Sequence, residues 1–451
     1  MRKAAARLLI AGTGSGCGKT TMTCAILQAL MNRGEETAAF KCGPDYIDPM
    51  FHSEIIGADS ANIDLFFAGE ALARGLFLRH AGALNVIEGV MGYYDGLSVG
   101  SAEASSWDVA RTLEAPAVLV VNAAGMALST AAVVKGFMAM RPDSRIAGVL
   151  LNHVSPMTYP QLKAAIEEQC GVRVYGYMPA MPDCALESRH LGLVTAREVQ
   201  GLREKLRRLA EQAEESIDLD GLIALMRSAS ALEADDPAQE KIGDVRLGVA
   251  RDEAFCFYYR DNLELFEALG AKIVPFSPLR DEAPPPCDGL YLGGGYPELH
   301  AEALSRNEAM RRRVREAVLD GLPTIAECGG FMYLTDSVGG CPMAGALPGG
   351  CANRGKLVRF GYAAFEARTY SLLFAAGDVI RGHEFHYWDA DDPGDALRAV
   401  KPSGRSWRCA HAGPTLYAGF PHLYFPSAPE AARRFIRKCL KGRTRGETDG
   451  H

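Results

Sequence analysis

The sequence predicts an α/β protein of two domains, the first built on a parallel sheet. Short apolar runs alternate with longer helical stretches in both halves of the chain, and a polar segment without apolar periodicity separates the halves. The length of 451 residues agrees with two or three domains at roughly 100 to 200 residues each. With 48% hydrophobic and 23% charged residues the composition is average for globular proteins, which excludes a disordered chain or a coiled coil.

The first half supplies the predicted parallel sheet. Its apolar runs of β-type residues cover residues 7–11, 37–41, 85–88, 117–122 and 146–152. Strands that alternate with helical stretches in this way favour a parallel sheet with helices on both faces. We therefore expect a first domain over residues 1–226.

The second half repeats the alternation after the segment 227–244, RSASALEADDPAQEKIGD, whose composition predicts a linker. Its predicted strands cover residues 246–250, 272–276, 289–292 and 324–326, and an amphipathic helix is expected at 307–319. We expect a second domain over residues 245–440 and a disordered tail at 441–451.

The net charge of −7 argues against nucleic acid or a membrane surface as a partner and favours a small molecule. The most apolar stretch, residues 115–128, contains Asn122 and Gly125 and is too short to span a membrane. Without a signal-peptide pattern at the N-terminus, the expected location is the cytoplasm. The twelve cysteines show no C-x-x-C pair, so most are expected to be reduced and buried.

A glycine-rich loop follows the first predicted strand, in the string LLIAGTGSGCGKTT at residues 8–21. A strand, a glycine turn and a helix start present backbone N–H groups to phosphates. Lys19 is expected to reach the terminal phosphates and Thr20 to hold Mg²⁺, although Thr13 stands where the common P-loop has glycine. The predicted ATP-binding residues are Gly12, Thr13, Gly14, Ser15, Gly16, Gly18, Lys19, Thr20, Thr21 and Asn152. For Asn152, contact with adenine and capping of a loop are both open.

Two further strand ends carry acidic residues, in KCGPDYIDPMFH at 41–52 and NVIEGVMGYYDG at 85–96. The carboxyl ends of parallel strands are the usual ligand site of open α/β sheets. Mg²⁺ bound to phosphates needs only one or two carboxylates, for which we select Asp45 and Glu88 beside Thr20. For Asp48 and Asp95, a helix cap or a solvated turn is the alternative.

A cysteine lies at the predicted strand-to-helix turn of LPTIAECGGFMYL, residues 322–334. Such a turn exposes a nucleophile, and the following helix N-terminus stabilises a thiolate. His422, which follows another apolar strand, is the expected partner of Cys328. The alternative for Cys328 is a buried thiol without a catalytic role.

Three glycines end the strand of LYLGGGYPELH, residues 290–300. A backbone that approaches a reacting carbonyl closely must lack side chains. The N–H groups near Gly294 and Gly295, with that of Gly329, form the predicted oxyanion hole.

Each half resembles a known family. The spacing of the phosphate loop is similar to that of dethiobiotin synthetase and its relatives, which use ATP to activate a carboxylate. The second half resembles the class I glutamine amidotransferases, in which a cysteine attacks the side-chain amide of glutamine and releases ammonia. Those enzymes carry Glu two residues after the histidine, where this chain has Tyr424, so a Cys–His dyad is implied, as in the cobyrinic and cobyric acid amidases.

The combination resembles the family of cobyrinate a,c-diamide synthases over residues 8–440. The motifs that carry the resemblance are GTGSGCGKT, KCGPDYIDPMFH, EGVMGYYDG, RHLGLV, GGGYPELH, AECGGFMYL and RGHEFHY. The family implies a ligase of cobalamin biosynthesis that consumes ATP and L-glutamine to amidate the a and c carboxylates of cobyrinate, with Mg²⁺ as cofactor.

The resemblance also implies roles for individual residues. Lys19 and Lys41 would neutralise the transferred phosphate, and Tyr46, Asp48 and Asp95 would lie near the corrinoid. The H-x-x-H pair His383 and His386 is expected to be structural or to face the corrinoid rather than to bind a metal.

Several alternatives remain at this stage. The same architecture serves enzymes that act on hydrogenobyrinate or nickel-sirohydrochlorin. Another alternative is a nucleotide-regulated binding protein with a non-catalytic second half. The retention of Lys19, Cys328 and His422 argues against it. A homodimer is an open expectation.

Overall fold

The computed structural model describes residues 2–186 and 196–448. The chain divides into two compact units, Met1–Pro237 and Ala238–His451. The division falls inside the segment 227–244 predicted to be a linker, while the domain bounds given above stay predictions.

The first unit alternates strands with helices in the predicted order. Its strands are β1 (Arg2–Lys3), β2 (Ala6–Gly12), β3 (Thr37–Cys42), β4 (Asp59–Ile63), β5 (Leu84–Glu88), β6 (Ala117–Asn122), β7 (Ile146–Asn152), β8 (Arg173–Met178) and β9 (Leu232–Glu233). Its helices are α1 (Lys19–Asn32), α2 (Ile47–Met50), α3 (Leu65–His80), α4 (Ser106–Thr112), α5 (Ser129–Ala139), α6 (Tyr159–Cys170), α7 (Ala196–Ser216) and α8 (Leu219–Arg227). A π-helical turn, Phe51–Ile56, follows α2.

Seven of these strands form one parallel sheet in the order β4-β3-β5-β2-β6-β7-β8. Alternate residues of the central strand β2 enter different cores: Leu9 packs with helices α3 to α6, and Leu8 packs with α1, α7 and α8. Burial on both faces explains why these strands read as continuous apolar runs. The carboxyl ends of β2, β3 and β5 lie side by side.

The second unit contains strands β10 (Val245–Ala250), β11 (Ala271–Phe276), β12 (Gly289–Leu292), β13 (Thr324–Glu327), β14 (Ser337–Val338), β15 (Cys341–Pro342), β16 (Gly350–Asn353), β17 (Arg359–Ala367), β18 (Val379–His386), β19 (Trp388–Ala390), β20 (Leu397–Val400), β21 (Ser406–Cys409), β22 (His411–Ala412), β23 (Leu416–Gly419) and β24 (His422–Leu423). Its helices are α9 (Arg260–Ala268), α10 (Ala301–Arg306), α11 (Glu308–Leu319), α12 (Gly329–Leu334) and α13 (Pro429–Thr448).

These strands form three sheets. The main sheet has the order β11-β10-β12-β13-β23-β22 and is parallel except for the edge strand β22. An antiparallel sheet has the order β21-β20-β17-β18-β24, and a small mixed sheet has the order β15-β14-β16-β19. Buried residues of the antiparallel sheet share a core with α9 and α13.

The predicted fold class, two α/β domains with a parallel sheet in the first, is confirmed. The last helix α13 runs to Thr448 and so extends through most of the segment 441–451 that was expected to be a disordered tail. Within residues 2–186 and 196–448, no helix is both long enough and apolar enough to cross a membrane.

Candidate active sites

The glycine-rich loop joins β2 to α1 in a conformation that requires glycine. Gly16 and Gly18 have φ of 74° and 101°. A Cβ at Gly12 would lie only 2.6 Å from Cys17 Sγ, and one at Gly18 only 2.1 Å from Asn152 Nδ2. The loop therefore folds tightly against its surroundings and leads directly into the N-terminus of α1, where N–H groups favour anions.

Lys19, the first residue of α1, is buried over this loop. Its Nζ donates hydrogen bonds to the carbonyl oxygens of Gly14 at 2.9 Å and Met91 at 2.5 Å. Burial lowers the pKa of Lys19, and the nearby Lys41 lowers it further. A negative charge beside Lys19, such as a phosphate, would oppose both effects.

Asn152, at the end of β7, donates from Nδ2 to the Cys17 carbonyl oxygen at 3.0 Å. This contact matches the loop-capping alternative, because it fixes the loop from the side. Contact of Asn152 with adenine stays a prediction.

The ends of β3 and β5 bring a buried charged cluster to Thr20. Glu88 Oε1 accepts hydrogen bonds from Thr20 Oγ1 at 2.6 Å and Lys41 Nζ at 2.9 Å, and Lys41 Nζ lies 2.5 Å from Asp48 Oδ2. Burial alone would lower the pKa of Lys41, but Glu88 and Asp48 raise it above its ordinary value. Burial and repulsion by Glu88 raise the pKa of Asp48 to about 7.

Sequence reasoning missed a fifth member of this cluster, His52. It lies fully buried in the π-helical turn, with Nε2 3.3 Å from Glu88 Oε2. Burial opposes ionisation of Glu88, but Lys41 and His52 lower its pKa below the ordinary value. His52 ends the string KCGPDYIDPMFH, but nothing in the local pattern marks it as a site residue.

The other predicted acids make turns. Asp45 Oδ1 accepts a hydrogen bond from Ile47 N at 2.7 Å, and the exposed Asp95 accepts one on Oδ2 from Gly92 N at 2.8 Å. Tyr46, between Asp45 and α2, is buried. These contacts leave the predicted substrate roles of Tyr46, Asp48 and Asp95 as predictions.

A divalent cation fits the oxygen atoms at Thr20 and Glu88. Glu88 Oε2 is buried and accepts no hydrogen bond from the residues that the structure describes. A carboxylate and a neighbouring hydroxyl are oxygen donors of the kind that Mg²⁺ takes beside phosphates.

In the second unit, Cys328 lies between β13 and α12 with φ of 48° and ψ of −100°. Such a backbone is strained for a residue with a side chain, and strain of this kind occurs at the turns that expose nucleophiles. The Cys328 N–H donates to the Gly419 carbonyl oxygen at 2.7 Å, which fixes the turn to β23.

His422 belongs to the antiparallel sheet and lies next to Gly294. Its strand β24 pairs with β18, where His422 lies opposite His383 and the two rings stack with centroids 4.9 Å apart. A Cβ at Gly294 would lie 2.4 Å from His422 Cε1. His383 Nδ1 lies 3.0 Å from the Tyr259 hydroxyl, and burial lowers the pKa of His383 to about 3. Burial thus favours the neutral form of His383, whose ring stacks on His422.

Burial favours the neutral forms of both Cys328 and His422. Burial, then the charge of Glu298, raises the pKa of the Cys328 thiol. Burial, then His383 and His386, lowers the pKa of His422. These shifts disfavour a preformed thiolate–imidazolium pair.

The predicted oxyanion hole is compact. A Cβ at Gly329 would lie 3.2 Å from Gly295 N and 2.9 Å from Pro297 Cδ. Gly295 has φ of 153°, and a Cβ there would meet the Ala254 carbonyl oxygen at 2.2 Å. The absence of side chains thus allows the backbone around Gly295 and Gly329 to meet beside Cys328.

Tyr424, at the position of the usual third carboxylate, donates its hydroxyl to Asp261 Oδ2 at 2.6 Å. His386 is held by protein groups: Nδ1 lies 2.5 Å from the Trp388 carbonyl oxygen, and the ring stacks on Phe420 with centroids 4.0 Å apart. These contacts support a structural role for His386. The RHLGLV string at 189–194 lies outside the described residues.

Two family models match the chain. Residues 8–194 match a CobQ/CobB/MinD/ParA nucleotide binding domain, and residues 246–427 match a CobB/CobQ-like glutamine amidotransferase domain. The two matches cover the two sites described above.

Curated relatives match nearly the whole chain, and each is called cobyrinate a,c-diamide synthase. The protein of Priestia megaterium is 37% identical over 96% of this chain and 97% of its own length. The protein of Salmonella typhimurium is 40% identical over 95% of this chain and 97% of its own length. The protein of Methanothermobacter thermautotrophicus is 39% identical over 96% of this chain and 99% of its own length. With identities of 37–40% over 95–96% of its length, the chain belongs to the cobyrinate a,c-diamide synthase family.

Proposed function

We propose that the protein uses ATP and L-glutamine to amidate the a and c side-chain carboxylates of cobyrinate. The observation that carries this proposal is the presence of both motif sets in one chain: a phosphate loop with a buried cluster around Lys41 and Glu88, and a strained turn at Cys328. The names of the relatives support the substrate.

The synthetase site activates a carboxylate, which is a poor electrophile because it is resonance-stabilised and negative. A carboxylate oxygen of the corrinoid attacks the γ-phosphorus of ATP, ADP leaves, and an acyl phosphate forms. Ammonia then attacks the acyl carbon, and phosphate leaves with formation of the amide and loss of a proton. Lys19 and Lys41 stabilise the charge on the transferred phosphoryl group.

The ion pairs of Lys41 prepare it for this role. Glu88 and Asp48 raise its pKa, so it stays protonated in the buried cluster. We propose that Thr20 and Glu88 hold Mg²⁺, with Asp45 as the further ligand selected from sequence. When bound, the ion would screen the negative charge of the phosphates.

The glutaminase site supplies the ammonia. Cys328 Sγ attacks the side-chain amide carbon of glutamine and gives its proton to His422. The N–H groups near Gly294, Gly295 and Gly329 stabilise the oxyanion, and His422 returns the proton to the departing ammonia. Water hydrolyses the thioester to glutamate. We propose a Cys328–His422 dyad; the stacking of His422 on His383 supports it by holding the imidazole ring.

Hydrogenobyrinate and nickel-sirohydrochlorin are the alternative substrates, and no described contact selects among the three tetrapyrroles. A cytoplasmic location, a homodimer and the lack of a nucleic-acid partner also stay proposals; the net charge of −7 supports the last.

The test offers cobyrinate, hydrogenobyrinate and nickel-sirohydrochlorin in parallel, each with ATP, Mg²⁺ and glutamine, and measures product masses. We expect the diamide of cobyrinate to form fastest and only with ATP. Diamide formation from another tetrapyrrole alone would reassign the substrate. Nucleotide binding without product from any of the three would favour a nucleotide-regulated binding protein instead.

A further inference from the structure

A buried carboxyl group lies directly before Cys328. Glu327, the last residue of β13, is only 1% exposed. Its Oε1 accepts a hydrogen bond from Leu423 N at 3.0 Å, and its Oε2 accepts one from the Tyr291 hydroxyl at 2.8 Å. Both oxygens are therefore engaged by the protein, and neither partner is close to Glu327 in sequence.

Each partner adjoins a part of the glutaminase site. Leu423 follows His422 in β24, and Tyr291 lies in β12, which ends just before the glycines of the predicted oxyanion hole. Glu327 itself precedes the nucleophile. From β13, which delivers the cysteine, this side chain thus contacts the strand that delivers the histidine and the strand that delivers the glycine backbone.

In the part of the chain that the structure describes, backbone pairing joins β13 to β12 but not to β24. Strand β13 pairs with β12 and β23 in the main sheet, whereas the pairing of β24 among the described residues is with β18 in the antiparallel sheet. The Glu327–Leu423 hydrogen bond therefore bridges the two sheets close to where Cys328 and His422 must meet.

Burying a carboxyl group costs free energy of desolvation that an apolar side chain at the same position would not. Burial raises the pKa of Glu327 to about 8, although the hydrogen bonds from Leu423 and Tyr291 lower it in part. Burial thus favours the neutral acid, and an ionised Glu327 would raise the pKa of the Cys328 thiol.

We propose that Glu327 is a positioning residue of the glutaminase site, which holds β24 and β12 against the Cys328 turn and so sets the distance between Cys328 and His422. This inference rests on the proposed glutaminase role of Cys328. A misplacement of about 1 Å costs on the order of 100-fold in rate for positioned groups, so loss of both hydrogen bonds should reduce turnover strongly.

The experiment compares Glu327→Ala, Glu327→Gln and Tyr291→Phe in the full-length protein. Glutamine supplies both a hydrogen-bond acceptor and a donor at the same size, and Tyr291→Phe removes one of the two contacts. Thr324→Val is the matched control: Thr324 is buried at the other end of β13, and its hydroxyl donates to the Leu322 carbonyl oxygen at 2.8 Å. Glutaminase kcat and KM, ammonium-dependent synthesis and the midpoint of thermal unfolding are measured for each.

We expect Glu327→Ala to lower glutaminase kcat by about 100-fold with little change in KM, while Glu327→Gln stays within about fivefold of wild type. Tyr291→Phe should lose about tenfold. Thr324→Val should keep a glutaminase kcat near that of wild type, even if its thermal midpoint falls as far as that of Glu327→Ala. Ammonium-dependent synthesis should persist in all four variants.

Two results would overturn the inference. One is that the glutaminase kcat falls in proportion to the loss of thermal stability, to the same extent in Glu327→Ala and in Thr324→Val. The other result is a wild-type glutaminase kcat in Tyr291→Phe together with a glutaminase kcat in Glu327→Gln that falls well below the expected range of about fivefold. This second result can be obtained even if Glu327→Ala does not fold. Cys328→Ala separates the two proposals: if it keeps glutaminase activity, the proposed function of Cys328 fails first.

Discussion

Replacing Gly294 by alanine should displace the His422 imidazole. The added Cβ would lie 2.4 Å from His422 Cε1 and 3.3 Å from the Phe257 Cβ. Carbon atoms in contact normally lie about 3.5 to 4 Å apart, so one group has to move by roughly 1 Å. His422 is buried between Gly294 and the stacked His383 ring, so its displacement changes the position of the proton acceptor.

A displacement of this size should lower glutaminase kcat by about 100-fold, or about 3 kcal/mol in the activation free energy. The phosphate loop belongs to the other unit, so ammonium-dependent synthesis should stay within about twofold of wild type. The KM for glutamine should change less than kcat, because the imidazole acts in the chemical step.

The assay measures glutamate release from glutamine and, separately, corrinoid amidation with ammonium. Gly413→Ala is the matched control, since a Cβ there meets nothing within 4 Å. If Gly294→Ala released glutamate as fast as Gly413→Ala, then His422 would not be the group that accepts the thiol proton.

Two further predictions concern Lys19 and the resting thiol. Lys19→Ala should lose both glutamine- and ammonium-dependent synthesis by about 100-fold or more while glutaminase activity persists, and ammonium-dependent synthesis near the wild-type rate would show that the phosphate loop is misassigned. Because burial raises the pKa of Cys328, its thiolate fraction is lower at every pH than that of an ordinary thiol. The rate of its alkylation by iodoacetamide, measured by peptide mass spectrometry, should therefore keep rising with pH above about pH 9. A plateau near neutral pH would indicate a preformed ion pair.

Sequence patterns predicted the first sheet well where strands are buried on both faces. The runs at 117–122 and 146–152 match β6 and β7 because every position before the final asparagine is apolar or glycine. Strand β4, DSANI, was missed since its residues are mostly polar. Its Asn62 donates to the Gly43 and Asp45 carbonyl oxygens at 2.9 Å and 2.7 Å, and only the folded loop creates the need for that side chain.

The closeness of Thr20 and Glu88 was predictable, because β2 and β5 are neighbours in a parallel sheet and their carboxyl ends coincide. His52 was not, since its approach to Glu88 depends on an irregular π-helical turn. Glu327 was also beyond sequence reasoning: its hydrogen-bond partners lie 36 and 96 residues away in the chain.

Cys328→Ala, assayed with ATP and cobyrinate, tests the division of labour between the two sites most directly. Glutamine or ammonium is offered as nitrogen source, and product masses are followed over time. We expect no amide from glutamine and near wild-type diamide formation from ammonium, because only the source of ammonia is lost. Amidation from glutamine by this variant, or failure of ammonium to restore it in a folded protein, would contradict the assignment of Cys328 as the glutaminase nucleophile of a separable synthetase.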